Sequence, residues 1–207
     1  MAMSTGTVTM FMGAPCSGKG TVIKSLQQEA TTQGRNLTVI APDAVIESLQ
    51  GYKDLRSQGQ SDEIARSQFH QEGTAKALQM FKEQVANMQN GDELIFDNTG
   101  GNLGRYQELI QEAKSQGAIV KVALVYTELQ TCLERAPQRS DQFVPIQFIG
   151  QAHANSVNNF KVLSEECSWT IYCKNNGEPM EGRVVASSPI PGNQHLVTNA
   201  MNELGVS

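Results

Sequence analysis

At 207 residues the chain is long enough for one α/β domain with a substantial core and short for two independent ones. Sixteen Lys and Arg against 21 Asp and Glu leave a net charge of −5 with no run of five like charges, which argues against a broad basic nucleic-acid surface. An apolar share of 39% with 18% charged residues excludes a disordered chain, and no apolar run approaches the roughly 18 residues that cross a bilayer.

The first lysine is Lys19, so the N-terminus lacks the basic start of a secretory signal. Cys16, Cys132, Cys167 and Cys173 show neither Cys-x-x-Cys spacing nor the density of a disulfide scaffold, and a reducing cytoplasm is the expected compartment. His70, His153 and His195 are far apart and make no zinc motif. No repeat of 20 to 50 residues interrupts the chain.

The first predicted strand is 7–12, and the sequence GAPCSGKGT follows it directly. Gly13, four residues, then Gly18, Lys19, Gly20 and Thr21 open an amphipathic helix carrying Val22, Ile23, Leu26 and Ala30 on one stripe. Strand, glycine loop and helix together are the context of a phosphate-binding loop. Residues Gly13, Ala14, Pro15, Cys16, Ser17, Gly18, Lys19, Gly20 and Thr21 are therefore expected to hold ATP, with inward amides and a helix N-terminus at the phosphates and Lys19 reaching the β and γ groups. Gly20 stands where a Ser or Thr usually follows the lysine, so Mg²⁺ falls to Ser17 or Thr21. Cys16, beside a helix N-terminus and Lys19, reads either as a redox-sensitive thiol or as a small side chain at the crest of the loop.

The second predicted strand, 36–41, runs into Pro42-Asp43 and a helical VIESL. Asp43 is the expected catalytic base toward a hydroxyl, with a helix N-cap as its structural alternative. Helical sequence continues through 44–90, including a stripe of Leu78, Phe81, Val85 and Met88, and Asn90-Gly91 is expected to end that helix. The third predicted strand, 92–97, closes on Asp97, expected as an acid near Mg²⁺, while an Asx turn would also explain the segment. Asn98, Thr99 and Arg105 follow as candidate substrate contacts, with Gly100-Gly101 permitting close approach.

Gly117 precedes the fourth predicted strand, 118–126, after which comes ERAPQRSDQFVP. Arg135 and Arg139, four apart, are expected on one helix face as a lid over the triphosphate; a solvated face paired with Glu134 or Asp141 is the alternative. Ile149, His153, Val157, Phe160 and Leu163 form the stripe of a long helix, and a fifth strand is predicted at 168–174. Trp169, Phe69 and Phe160 read as core aromatics. The stretch 177–207, rich in Gly and Pro with a short helix at 194–204, reads as a peripheral extension. Alternating strands and helices imply a parallel sheet covered on both faces, with ligands beyond the carboxyl ends of the strands.

GAPCSGKGT, VIAPD (39–43), FDNTGGN (96–102) and ERAPQRSDQFVP with the NNF-containing helix after it (158–160) together resemble the zeta-toxin and polynucleotide-kinase-like branch of the phosphate-loop kinases, over about residues 7–175. Gly20 departs from that pattern and is closer to adenylate kinases. The resemblance implies a three-layer fold with strand order 2-3-1-4-5, a kinase domain at 1–176 with an acceptor-side helical insertion at 44–90 and a lid at 130–145, general-base action by Asp43, and phosphate contacts by Arg135 and Arg139. The expected partners are ATP, Mg²⁺ and a hydroxyl-bearing small molecule or nucleotide derivative; a nucleic-acid acceptor fits the charge less well, and no membrane is implied. Two other readings stand beside this one. A nucleoside monophosphate kinase would need arginines near Asp43, for which only Arg56 and Arg66 in the helical insertion are available. A nucleotide-binding regulatory module would bind ATP without transferring phosphate.

Overall fold

The computed structural model describes residues 6–139 and 143–206. Its centre is a six-stranded sheet in the order β2-β3-β1-β4-β5-β6, built from β1 (Thr7–Met12), β2 (Leu37–Ile40), β3 (Glu93–Asp97), β4 (Ile119–Tyr126), β5 (Ser168–Cys173) and β6 (Arg183–Ser188). The first five are parallel in the expected order, and β6 joins β5 antiparallel. Central strands read as nearly continuous apolar runs because both faces are covered. In β4 successive residues alternate between two clusters: Val122 and Leu124 face one, Ala123 and Val125 the other.

The larger cluster joins Val8, Met10, Met12, Leu94, Phe96 and Trp169 to apolar residues of α4 (Asp62–Ala86), α5 (Leu103–Ser115), α7 (Ile146–Leu163) and α8 (Gln194–Glu203). Phe160 meets Trp169 edge-on at 6.1 Å, so both aromatics belong to the core as expected. The opposite face is covered by α1 (Lys19–Thr32), whose Val22 and Ile23 pack on Phe11, Ile95 and Val125. The helical insertion consists of α2 (Pro42–Ser48), α3 (Gln50–Ser57) and α4. Among the described residues no helix is long and apolar enough to cross a membrane.

Two local expectations are corrected. Gly117, at φ 80, directly follows the C-cap of α5, but α4 is capped by Asn87, and Gly91, at φ 89, belongs to a separate turn beyond it. The segment after Gly177 is not merely peripheral, because β6 extends the sheet and Val197, Ala200 and Met201 of α8 are buried in the main cluster. Its strand escaped notice because an edge strand needs little apolar patterning: Arg183 and Val184 are exposed, and the segment lies between Gly182 and Pro189.

Candidate active site at the carboxyl edge of the sheet

The glycine loop turns sharply between β1 and α1, with positive φ at Gly13 (149°), Cys16 (64°) and Gly18 (89°). A Cβ at Gly13 would lie 2.5 Å from the Val125 carbonyl oxygen, so only glycine lets the loop start flush against β4. The loop carbonyls are engaged one after another. Lys19 Nζ donates to Gly13 at 3.0 Å and Ala14 at 3.4 Å, Arg135 donates to Cys16 at 3.3 Å, and the Thr127 hydroxyl donates to Ser17 at 2.7 Å. Fixing these peptide planes by their oxygens also fixes the direction of the amides. Gly18, the N-cap of α1, offers no side chain to the first turn, and no acidic residue lies there, so the positive end of a 14-residue helix is left unopposed beside the loop, as anion binding would require.

Gly20 is exposed, and a Cβ there would meet nothing within 4 Å, so the missing Ser or Thr is not a steric demand. Thr21 is half-buried and donates its amide to Gly18. Ser17 is buried, and its Oγ has no hydrogen-bond partner among the described residues. Pro15 is half-buried. Cys16 packs as a small apolar group against Ala14, Cys132, Ala136 and Ile149; burial, with the neighbouring Cys16 second, pushes the Cys132 thiol up to about 11.

Asp97, at the end of β3, stands in register with Phe11 of β1. Its Oδ1 is buried without a hydrogen-bond partner among the described residues. Burial raises the Asp97 carboxyl above its ordinary range, the Lys19 ammonium draws it back, and the Asp43 charge adds to the rise. The three groups thus share one electrostatic environment. An unpaired hydroxyl and an unpaired carboxyl oxygen beside a glycine loop fit a divalent cation, for which Ser17, Thr21 and Asp97 supply hard oxygen donors. Because the native state holds a proton on Asp97 more tightly than the unfolded chain does, its ionisation costs stability. The penalty is absent below the ordinary carboxylate range, grows as pH rises toward the raised value, and is full above it. Asp97→Asn is therefore expected to melt above the native protein at pH 7, by about 2–4 °C for each kcal/mol recovered, and the gap should close near pH 3. Thermal melts at both pH values check this.

Asn98 turns its Oδ1 onto the Thr99 amide at 2.7 Å, and the Thr99 carbonyl accepts from Gly13 at 3.1 Å, so this turn also anchors the glycine loop. Asn98, Thr99 and Arg105 come together in a cavity of about 290 Å³, joined by Phe148, Gln151 and Asn155 of α7. These α7 residues were not anticipated. Their signal lay in the sequence, where Gln151, Asn155 and Asn159 recur every four residues on a helix whose Ile149, Val157 and Phe160 are buried. Asn159 holds the Gly100 carbonyl at 2.7 Å, fixing the turn against α7.

Asp43 does not cap α2. The N-cap is Ala41, Pro42 occupies the first helical turn, and the Asp43 side chain is 62% exposed. Its Oδ1 lies 3.6 Å from Nη1 of Arg66, a buried residue of α4. Of the two arginines the sequence offered for this acid, Arg56 and Arg66, the fold brings Arg66 to it across 23 residues of chain. Arg56 instead donates to the Gln60 carbonyl at 2.6 Å.

The lid differs from expectation in one respect. α6 (Leu129–Arg135) ends at Arg135 and tightens into a 3₁₀ turn over Ala136–Gln138, because Pro137 has no amide to continue the helix. Arg135 and Arg139 therefore do not share one α-helical face. Arg135 lies against the outside of the glycine loop and the end of β5, donating to Cys16, to the Lys174 carbonyl at 3.1 Å and to Asn176 at 3.1 Å. Arg139 follows the 3₁₀ turn, and Asp141, its alternative partner, lies outside the described residues. Among the described residues no cluster of three or more His, Cys, Asp or Glu forms a metal site.

The family model described as Zeta toxin matches residues 4–180. No curated protein matches the chain. The fold is similar to a structure from the PezAT chromosomal toxin-antitoxin system of Streptococcus pneumoniae, with 18% identity and a TM-score of 0.66 over 97% of this chain and 80% of that one. It is similar to the AvrRxo1-ORF1:-ORF2 structure with ATP, at 15% identity and a TM-score of 0.63 over 94% of this chain, which spans 63% of that one. A gluconokinase from Sinorhizobium meliloti gives 15% identity and a TM-score of 0.50 over 98% and 93%. At these identities the likeness is one of fold.

Proposed function

This chain belongs to the zeta-toxin family, and on that premise we propose that it is an ATP-dependent kinase that phosphorylates a hydroxyl of a small molecule or nucleotide derivative. The observation carrying this reading is the convergence, at one edge of the sheet, of a lysine-bearing glycine loop with Asp97 and Asp43, whose charges act on one another. The AvrRxo1 structure with ATP lends the donor support at the level of fold.

In this reading the glycine-loop amides and Lys19 bind the triphosphate of ATP. The acceptor oxygen attacks the γ-phosphorus as the bond from that phosphorus to the β–γ bridging oxygen breaks; ADP leaves, and the acceptor proton passes to the Asp43 carboxylate. Mg²⁺, held by Ser17 or Thr21 and Asp97, would neutralise phosphate charge. Arg139 serves as the lid arginine, and Arg135 braces the loop from outside while bordering the donor site. Asn98, Thr99 and Arg105, with Gln151 and Asn155, line the acceptor cavity.

A nucleoside monophosphate kinase is less well supported. Arg66, the arginine nearest Asp43 in the insertion, already serves Asp43, Glu47 and Asp62. An acceptor phosphate there would meet three carboxylates and one cation. The regulatory-module reading has no use for an exposed acid opposite the loop.

The test is a phosphate-transfer screen with γ-labelled ATP and Mg²⁺ against nucleosides, nucleoside monophosphates, nucleotide sugars and oligonucleotide ends. Label on a hydroxyl of a nucleoside or nucleotide derivative is expected. Label on a monophosphate would select the runner-up, and binding of ATP without transfer to any acceptor or to water would favour the module.

A further inference from the structure

Arg66 is a buried arginine on the acceptor side, and its surroundings are more elaborate than packing requires. Nε donates to both oxygens of Asp62, at 3.0 and 2.8 Å, and Nη2 donates to Glu47. The guanidinium carbon lies 5.8 Å from the centre of the Tyr52 ring. Nη1 is buried with no hydrogen bond among the described residues, and it is the nitrogen that faces Asp43 at 3.6 Å. A buried donor left without a partner costs about 1–3 kcal/mol. The orphan nitrogen is therefore directed at the candidate base rather than into apolar packing.

The rest of the insertion makes this geometry stiff. A Cβ at Gly73 would sit 2.3 Å from Ile46 Cγ1, and one at Gly51 would sit 2.3 Å from the Phe69 ring, so α2 and α3 lie directly on α4. Asp62 also accepts from the Tyr52 hydroxyl at 2.7 Å and from the Phe143 amide at 2.8 Å, the latter in the segment that leads into α7. Burial alone would raise the Asp62 carboxyl; the bonds from Tyr52, Phe143 and Arg66 more than offset it and hold it below its ordinary range. For Arg66 burial works against the charge, but Glu47, Asp62 and Asp43 keep it protonated. A planar fork can serve three carboxylates from two helices, which an ammonium cannot do in one plane.

We propose that Arg66 is a positioning residue that holds Asp43 at the acceptor hydroxyl and, through Asp62, ties α2 to the segment that leads into α7. The inference rests on the kinase reading above. It is tested by measuring ATP consumption with Mg·ATP, in the presence of the transfer-screen acceptors and with water alone, for the native protein, Arg66→Gln, Arg66→Lys, Asp43→Asn and the double variant Asp43→Asn, Arg66→Gln. Arg66→Gln is expected to lower kcat about 10–100-fold, the scale of a misplaced reacting group, with the KM for ATP within about twofold of native. Arg66→Lys should recover only part of the loss, and the Tm rise produced by Mg·ATP should persist in both. If Arg66 acts through Asp43, the double variant is no slower than Asp43→Asn alone. Multiplying losses in the double variant, or native kcat in Arg66→Gln, would overturn the proposal. If Arg66→Gln does not fold, native kcat in Arg66→Lys overturns it equally. Native turnover in Asp43→Asn would instead defeat the kinase assignment of that acid.

Discussion

Lys19→Ala is expected to remove the thermal stabilisation that Mg·ATP confers and to lower turnover about 10²–10³-fold, the cost of deleting one preorganised group that meets developing charge. At 100 times its dissociation constant a ligand stabilises by about 2.7 kcal/mol, which for a chain of this size raises Tm by about 5–10 °C. The expectation follows from where the ammonium lies. Its partners are the Gly13 and Ala14 carbonyls on the loop itself, and its charge acts on Asp97. A polyphosphate therefore replaces neutral carbonyl partners with charged oxygens, a gain that alanine cannot supply. The fold should survive, because the loop is also braced by Thr127 and Arg135. Differential scanning fluorimetry with and without Mg·ATP reads the first effect, and label transfer reads the second. An undiminished ATP-dependent Tm rise in Lys19→Ala would remove the donor site from this loop, and with it the kinase reading.

The second large effect is at Asp43. Asp43→Asn is expected to reduce phosphoryl transfer about 10²–10⁴-fold, the worth of a positioned general base, while leaving the Mg·ATP-dependent Tm rise intact. Its structural cost should be small. The side chain is 62% exposed, it does not cap α2, and a lost negative charge in a helix's first turn is worth only about 0.3–1 kcal/mol. Separation of the two readouts matters: a helix-terminating aspartate would lower stability and spare transfer, whereas a base does the reverse. Equal transfer rates in the two proteins would exclude Asp43 from the chemistry.

The glycine loop was legible from residues 7–21 alone because its geometry is local. Gly13 and Gly18 occupy backbone conformations that L side chains rarely adopt, and the strand before and helix after them are written in adjacent residues. The five parallel strands and Asp97 were legible for the same reason, since a run such as ELIFD declares its burial by composition. The surroundings of the loop contributed by α6 and α7 were not. The 3₁₀ turn at Pro137 changed the relation between Arg135 and Arg139 that a four-residue spacing implied, and Gln151 and Asn155 were passed over as the polar side of an amphipathic helix.

By itself the order of residues determined the glycine loop, the strands that flank it and the acids that follow β2 and close β3, because backbone conformation and period-two or 3.6 burial are properties of neighbours in the chain. Only the tertiary structure decided which charges meet. Arg66 reaches Asp43 because α4 folds back across α2, with Gly73 against Ile46, and Arg135 reaches Cys16 because α6 returns to the glycine loop. Those encounters depend on how helices cross, and electrostatic energy falls with distance through space rather than along the chain.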